Sequence, residues 1–299
     1  MNNIKIDCVL DAKANLGEGA IWSVKDQILY WVDINRGLLC KYNPENGKNI
    51  AIDFKKPLGC FALKSNLNVI LALTDGFFEF DQNQKTKTLI DSTESNILEN
   101  RFNDGTVDIK GRFYAGTMAI NGSNIGENAK GSLYCLEPSG KVNKTMDGFY
   151  TINGLAFSPD YKTAYVSDSA YWIQTIWAYD YDLDNGIWSN KRTFFDTKNV
   201  AGRPDGGCVD AEGCYWMAGV SGWELLRITP QGKIDMTIKM PIEKPTKIAF
   251  GGSKLDTMYV TSIGQDNITE GTAKLQPKAG GLFALCIPGV KGIEFPCYG

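Results

Sequence analysis

The stretch RFNDGTVDIKGRFYAGTM, residues 101–118, sets a guanidinium, an amide and a carboxylate (Arg101, Asn103 and Asp104) before a glycine and a run that reads as strand. A polar surface loop can have that composition for no chemical reason. A site for an oxygen-rich substrate needs the same groups close together, to donate to its oxygens and accept from its hydroxyls. Comparable residues precede glycines elsewhere: Glu18 in LGEGAIW, Asn153 in INGLAF and Asp205 in RPDGG. Gly, Ser or Pro would satisfy a segment that only turned the chain. Acids and amides in corresponding slots therefore read as a shared oxygen cage, although Asx-turns and corner caps draw on the same residue types.

Glu18, Asn153 and Asp205 offer two anionic oxygens and one neutral amide oxygen. That set suits one hard divalent cation, Ca2+, Mg2+ or Mn2+; Zn2+ can be held by it but is not selected by it. An open coordination position would let the ion polarise a carbonyl or acidify a water. The chain contains no histidine, which removes the Ser-His-Asp triad, the Cys-His pair and His-ligated zinc. A general base must then be a carboxylate, Lys, Tyr or Cys. Asp205 and Glu18 are the candidates, with Arg101 and Asn103 donating to the substrate.

The rest of the composition narrows the setting. The 299 residues are 43% hydrophobic and 22% charged, with a net charge of −3 and both signs interspersed. No basic patch favours nucleic acid. The start, MNNIKIDCVLDAK, has no apolar signal region and no run approaches a membrane span. The expectation is a cytoplasmic protein, monomer or weak dimer, acting on a small molecule. Its eight cysteines form no C-x-x-C motif and read as buried thiols, though Cys208 and Cys214 flank a DAEG turn and could face each other.

Positioning these residues requires a repeating scaffold, and the chain has one. Six segments share a glycine-bearing opening, a short apolar strand, a polar turn and a second strand: GAIWSVKDQILYWVD, GCFALKSNLNVILAL, GTVDIKGRFYAGT, GLAFSPDYKTAYVSD, GGCVDAEGCYWMAG and IAFGGSKLDTMYVTS. Trp31, Leu71, Tyr114, Tyr165, Trp216 and Tyr259 recur at spacings of 40, 43, 51, 51 and 43 residues. Alternation has period two, and no long helical pattern competes with it. Six such units predict an all-β fold, a six-bladed β-propeller of four-stranded antiparallel sheets forming a single domain over 1–299. The N-terminal IKIDCVL would complete the last blade; a pair of β-sandwiches is the alternative. DYDLDNG at 180–186 lacks the glycine and glutamate of a calcium loop and reads as a hairpin turn. Trp172 and Trp223, in loop-like YWIQ and SGWE, are candidates for the channel mouth.

The segments LGEGAIW, RFNDGTVDIKGRFYAGTM, INGLAFSPDYKTAYVSDS, RPDGGCVDAEGCYWMA, PTKIAFGGSKLDTMYVTS and AGGLFALCIPGVKG resemble, in order, the senescence marker protein / regucalcin / gluconolactonase / luciferin-regenerating enzyme family. The resemblance covers nearly the whole chain. It implies a propeller with one divalent metal in its channel and hydrolysis of sugar lactones. It places the metal on Glu18, Asn153 and Asp205, the acid/base role on Asp205, and substrate contacts on Arg101 and Asn103. A further substrate-contacting position, glutamate in close animal members, is Asn121 here, which removes a negative charge and leaves the substrate open. The Gly- and Asn-rich segment 119–130 around it reads as a flap. Two alternatives stand beside the lactonase: a non-catalytic calcium-binding regulator, and a metal hydrolase acting on organophosphates or a luciferin-type compound.

Overall fold

Alternating apolar residues, broken every few positions by Gly, Asn or Asp turns, fold as short antiparallel strands. The computed structural model describes residues 4–120 and 130–299. Its strands group into six four-stranded sheets. After β1 (Ile6–Leu10), blade 1 holds β2 (Gly17–Ser23), β3 (Ile28–Asp33), β4 (Leu38–Tyr42) and β5 (Asn49–Asp53). Blade 2 holds β6 (Leu58–Leu63), β7 (Val69–Leu73), β8 (Gly76–Asp81) and β9 (Thr86–Asp91). Blade 3 holds β10 (Asn100–Val107), β11 (Phe113–Ala119), β12 (Gly131–Leu136) and β13 (Val142–Phe149). Blade 4 holds β14 (Ile152–Phe157), β15 (Thr163–Asp168), β16 (Thr175–Asp182) and β17 (Ile187–Asp196). Blade 5 holds β18 (Arg203–Val209), β19 (Tyr215–Val220), β20 (Glu224–Ile228) and β21 (Ile234–Lys239). Blade 6 combines β22 (Pro245–Gly251), β23 (Thr257–Ser262) and β24 (Leu282–Cys286) with β1, Ile6 lying opposite Leu285. This is a six-bladed β-propeller, closed by its N-terminal strand.

Both faces of each blade are buried between neighbours. Tyr30 and Val32 of blade 1 share a core with Phe61 and Leu71 of blade 2, while Trp22 stacks on Tyr259 of blade 6 at 5.6 Å. One part of the expected repeat is out of step. Tyr114, Tyr165, Trp216 and Tyr259 all pack toward the following blade, but Trp31 and Leu71 pack toward the preceding one. Their structural counterpart in blade 1 is Tyr30, paired with Ile21. With apolar residues on both faces, period-two alternation cannot say which of two adjacent side chains faces forward.

The inner strands are interrupted where chemistry was expected. Pairing breaks between Glu18 and Ile21, Phe102 and Gly105, Asn153 and Ala156, Pro204 and Gly207, and Pro245 and Ile248. An extra residue in one strand re-aims the side chains beside it. Gly19 and Gly154 sit inside two of these bulges at φ +58° and +63°, a left-handed conformation that costs glycine little. At the opposite end, the C-terminal residues cross from Ala211, whose N–H donates to Lys291 O (2.8 Å), to Leu63, which accepts from Tyr298 N–H (2.8 Å). All eight cysteines are free, Cys208 and Cys214 included. The 180–186 segment is the β16–β17 hairpin turn, its Asp182 carboxylate accepting from Asp184 N–H at 3.0 Å.

Candidate functional site

The bulges gather Glu18, Asn103, Asp104, Asn153 and Asp205 at one end of the central channel, each no more than 8% exposed. Farther along the channel lies an apolar cavity of about 70 Å³, lined by Trp22, Leu155, Phe157 and Ile248 and, at its far end, by Phe295. Carboxylates above such a floor lose hydration, which disfavours their charged forms. Burial, then repulsion from Asp205 and Asp104, holds Glu18 well above the ordinary carboxylate range. Burial pushes Asp205 up to about 7, against the pull of Arg203; Asp104 adds to the rise, and a hydrogen bond from Glu18 opposes it.

The amides are held by a chain of hydrogen bonds across three blades. Arg101 Nη1 donates to Asn103 Oδ1 at 2.6 Å, and Asn103 Nδ2 donates to Asn153 Oδ1 at 2.8 Å and to Ile152 O at 2.9 Å. Asn153 Nδ2 donates to Ser169 Oγ at 2.7 Å, and Ser169 Oγ–H donates to Pro204 O. Because Ser169 takes the nitrogen end, Asn153 must turn its oxygen inward. That oxygen keeps a second lone pair beyond the one Asn103 uses. Arg101 is half-buried, and desolvation lowers its pKa to about 10, leaving it cationic at neutral pH.

Glu18, Asn153 and Asp205 thus present hard oxygen donors from blades 1, 4 and 5. Two buried carboxyls, both raised chiefly by burial with Asp104 adding to each, beside an oriented amide oxygen, fit a divalent cation. Among the described residues no three His, Cys, Asp or Glu side chains form a metal cluster, so the amide is needed to complete the donor set. Asn103 has both amide hydrogens engaged by protein acceptors, which leaves Oδ1 as its route to a substrate hydroxyl. Asn121, and most of the segment read as a flap, lie outside the described residues.

Sequence reasoning left Asp104 without a role and missed Lys247 and Ser169. Lys247 Nζ reaches Asp104 Oδ1 at 2.7 Å, both side chains being nearly inaccessible. Asp104 Oδ2 accepts from Leu155 N–H at 2.9 Å, tying blades 3, 4 and 6 together. Burial pulls the Lys247 pKa down, yet Asp104, helped by Glu18, leaves it above the ordinary value. The signal was present: Lys247 lies in the blade 6 bulge, at the position that Asp104 holds in blade 3 and glycine holds in blades 1, 4 and 5. Ser169 gave no such signal, being one serine in a turn. Of the two mouth candidates, Trp172 is 37% exposed in the β15–β16 connection and Trp223 is half-buried after β19.

Comparison with known proteins agrees with this fold. Residues 16–264 match the model of the SMP-30/Gluconolactonase/LRE-like region. Regucalcin of Xenopus laevis is 38% identical over 295 residues, covering 98% of each chain. The solved luciferin-regenerating enzyme superposes with a TM-score of 0.91 at 28% identity, covering 99% of both chains. A calcium-binding protein, regucalcin, from Agrobacterium tumefaciens superposes with a TM-score of 0.91 at 26% identity, covering 99% of this chain and 98% of that one. With its propeller, its bulged channel strands and this match over most of its length, the chain belongs to the SMP-30/gluconolactonase/LRE-like family.

Proposed function

We propose that this protein is a divalent-metal-dependent lactonase that opens a sugar (aldono) lactone to its hydroxy acid. One observation carries the reading: two buried carboxyls, Glu18 and Asp205, are raised by burial and crowding beside an amide oxygen fixed by Ser169. A cation held by Glu18, Asn153 and Asp205 would supply Lewis-acid polarisation of the lactone carbonyl and neutralise the crowded carboxylates. The chain's own residues do the rest. Asp205 accepts a proton from the attacking water as its oxygen bonds to the carbonyl carbon. As the ring C–O bond breaks, Asp205 returns that proton to the departing alkoxide, so that one water is added overall. Arg101 donates to the oxygen on which negative charge develops. Asn103 Oδ1 accepts from a substrate hydroxyl, and the apolar cavity beyond the cage excludes bulk water. Asn121 is assigned a further hydroxyl contact on the family resemblance.

The same three donors would also serve a calcium-binding protein without turnover, as the description of the Agrobacterium tumefaciens relative invites. Protein stripped with EDTA and then given Zn2+, Mn2+, Mg2+ or Ca2+ separately is tested for acid release from D-glucono-1,5-lactone, with Asp205→Ala as control. The expected result is turnover restored by a cation, with turnover and cation binding lost together in the variant. Tight Ca2+ binding without turnover of any lactone supports the regulator, and full activity in Asp205→Ala removes that residue from the mechanism.

A further inference from the structure

Two aromatic side chains among the described residues are exposed, Tyr171 at 67% and Trp172 at 37%, and they are neighbours. They lie in the β15–β16 connection, at the cage end of the channel. This connection is firmly built. Asp168 accepts from Tyr150 N–H (2.8 Å) and Ala170 N–H (3.0 Å); Gln174 N–H donates to Ala170 O (3.0 Å), and Thr197 N–H donates to Gln174 O (2.9 Å). Each ring is oriented by one protein contact. The Arg203 guanidinium lies 4.0 Å from the Tyr171 ring centroid, and Trp172 meets Tyr150 edge-on at 5.0 Å.

The loop is also wired to the cage. Arg203 Nη1 donates to Ser169 O at 2.7 Å, Ser169 Oγ holds Asn153, and Arg203 is the main charge stabilising the Asp205 carboxylate. Exposed, oriented rings beside a polar site favour a ligand with a flat apolar face, because stacking then costs little ordering. On the same rim Leu98 and Ile120 are also exposed, at 82% and 46%.

Resting on the lactonase reading, we propose that Tyr171 and Trp172 are specificity-determining residues and that the preferred substrate is a hydroxylated lactone that also bears a planar aryl substituent. The lactone carbonyl sits at the cage while the aryl ring stacks on Tyr171. Arg203 acts as a positioning residue for that ring.

The test compares δ-valerolactone with its 5-phenyl-5-pentanolide counterpart on the metal-loaded enzyme. The phenyl lactone should be preferred by about tenfold in kcat/KM, expressed in KM, which corresponds to about 1.4 kcal/mol. Tyr171→Ser should bring the preference close to one by raising the KM of the phenyl lactone, Trp172→Ser should reduce it, and Tyr171→Phe should keep it. No preference in the wild type, or a preference that survives Tyr171→Ser, overturns the assignment. If neither lactone is cleaved, D-glucono-1,5-lactone turnover decides the lactonase reading separately, and calorimetric binding of the matching lactams decides this proposal. Tighter binding of the phenyl lactam, lost in Tyr171→Ser, upholds the aromatic wall; equal or absent binding overturns it.

Discussion

Replacing Asp205 by Asn should make the metal-free protein more stable while destroying its activity. Burial pushes the Asp205 pKa up to about 7 in the folded chain, from an ordinary 3.8. An acid whose pKa rises on folding is protonated longer in the native state, so folding loses stability as pH climbs from the unfolded to the folded value. A rise from 3.8 to about 7 makes that loss about 4 kcal/mol above pH 7, and below about 1 kcal/mol near pH 4. Asn cannot ionise and escapes the loss. Because Glu18 shares the repulsion, the two carboxyls titrate as a pair and the figure belongs to both. The assay is urea unfolding of EDTA-treated wild type and Asp205→Asn at pH 4.5, 6 and 8. The variant's advantage should grow across the series, and adding the activating cation should restore the wild type by mass action while scarcely affecting the variant. A variant less stable than metal-free wild type at pH 8, or an advantage that does not change with pH, would refute the crowded-carboxyl account of the cage.

Lys247→Met should cost roughly 3–5 kcal/mol, because it strands Asp104 as a buried unpaired charge; urea midpoints for this variant and for Lys247→Met with Asp104→Asn, where much of the loss should return, check it. Ser169→Ala should weaken cation binding by roughly 10- to 100-fold by freeing the Asn153 amide to rotate. Calorimetric titration measures that loss, and a thermal midpoint within a few degrees of wild type would show that the propeller is intact.

The local pattern of this chain carries its architecture. Six glycine-opened hairpins, each short and alternating, can bury their apolar faces only against one another, so the repeat by itself specifies blades stacked around an axis. Even the cage is legible on those terms. A bulge needs a permissive residue such as Gly19 or Gly154, and the acid or amide before it is what the bulge turns into the channel. The absence of histidine, a matter of composition alone, had already confined any metal to oxygen or thiolate ligands and the general base to a carboxylate, Lys, Tyr or Cys.

What sequence could not give is whatever depends on closing the ring. Lys247 and Asp104 meet across 143 residues because blades 3 and 6 face each other over the channel, and no local pattern encodes that distance. The Ser169 latch depends on a side-chain bond between neighbouring blades, and the facing of Trp31 and Leu71 on which neighbour each blade side packs against. Tyr171 reads as an ordinary loop residue until Arg203 is seen stacked on it. Strand formation is set by near neighbours in the chain, which the sequence displays directly. Burial, charge pairing and the pKa of Asp205 are set by neighbours in space, and those exist only once the propeller has closed.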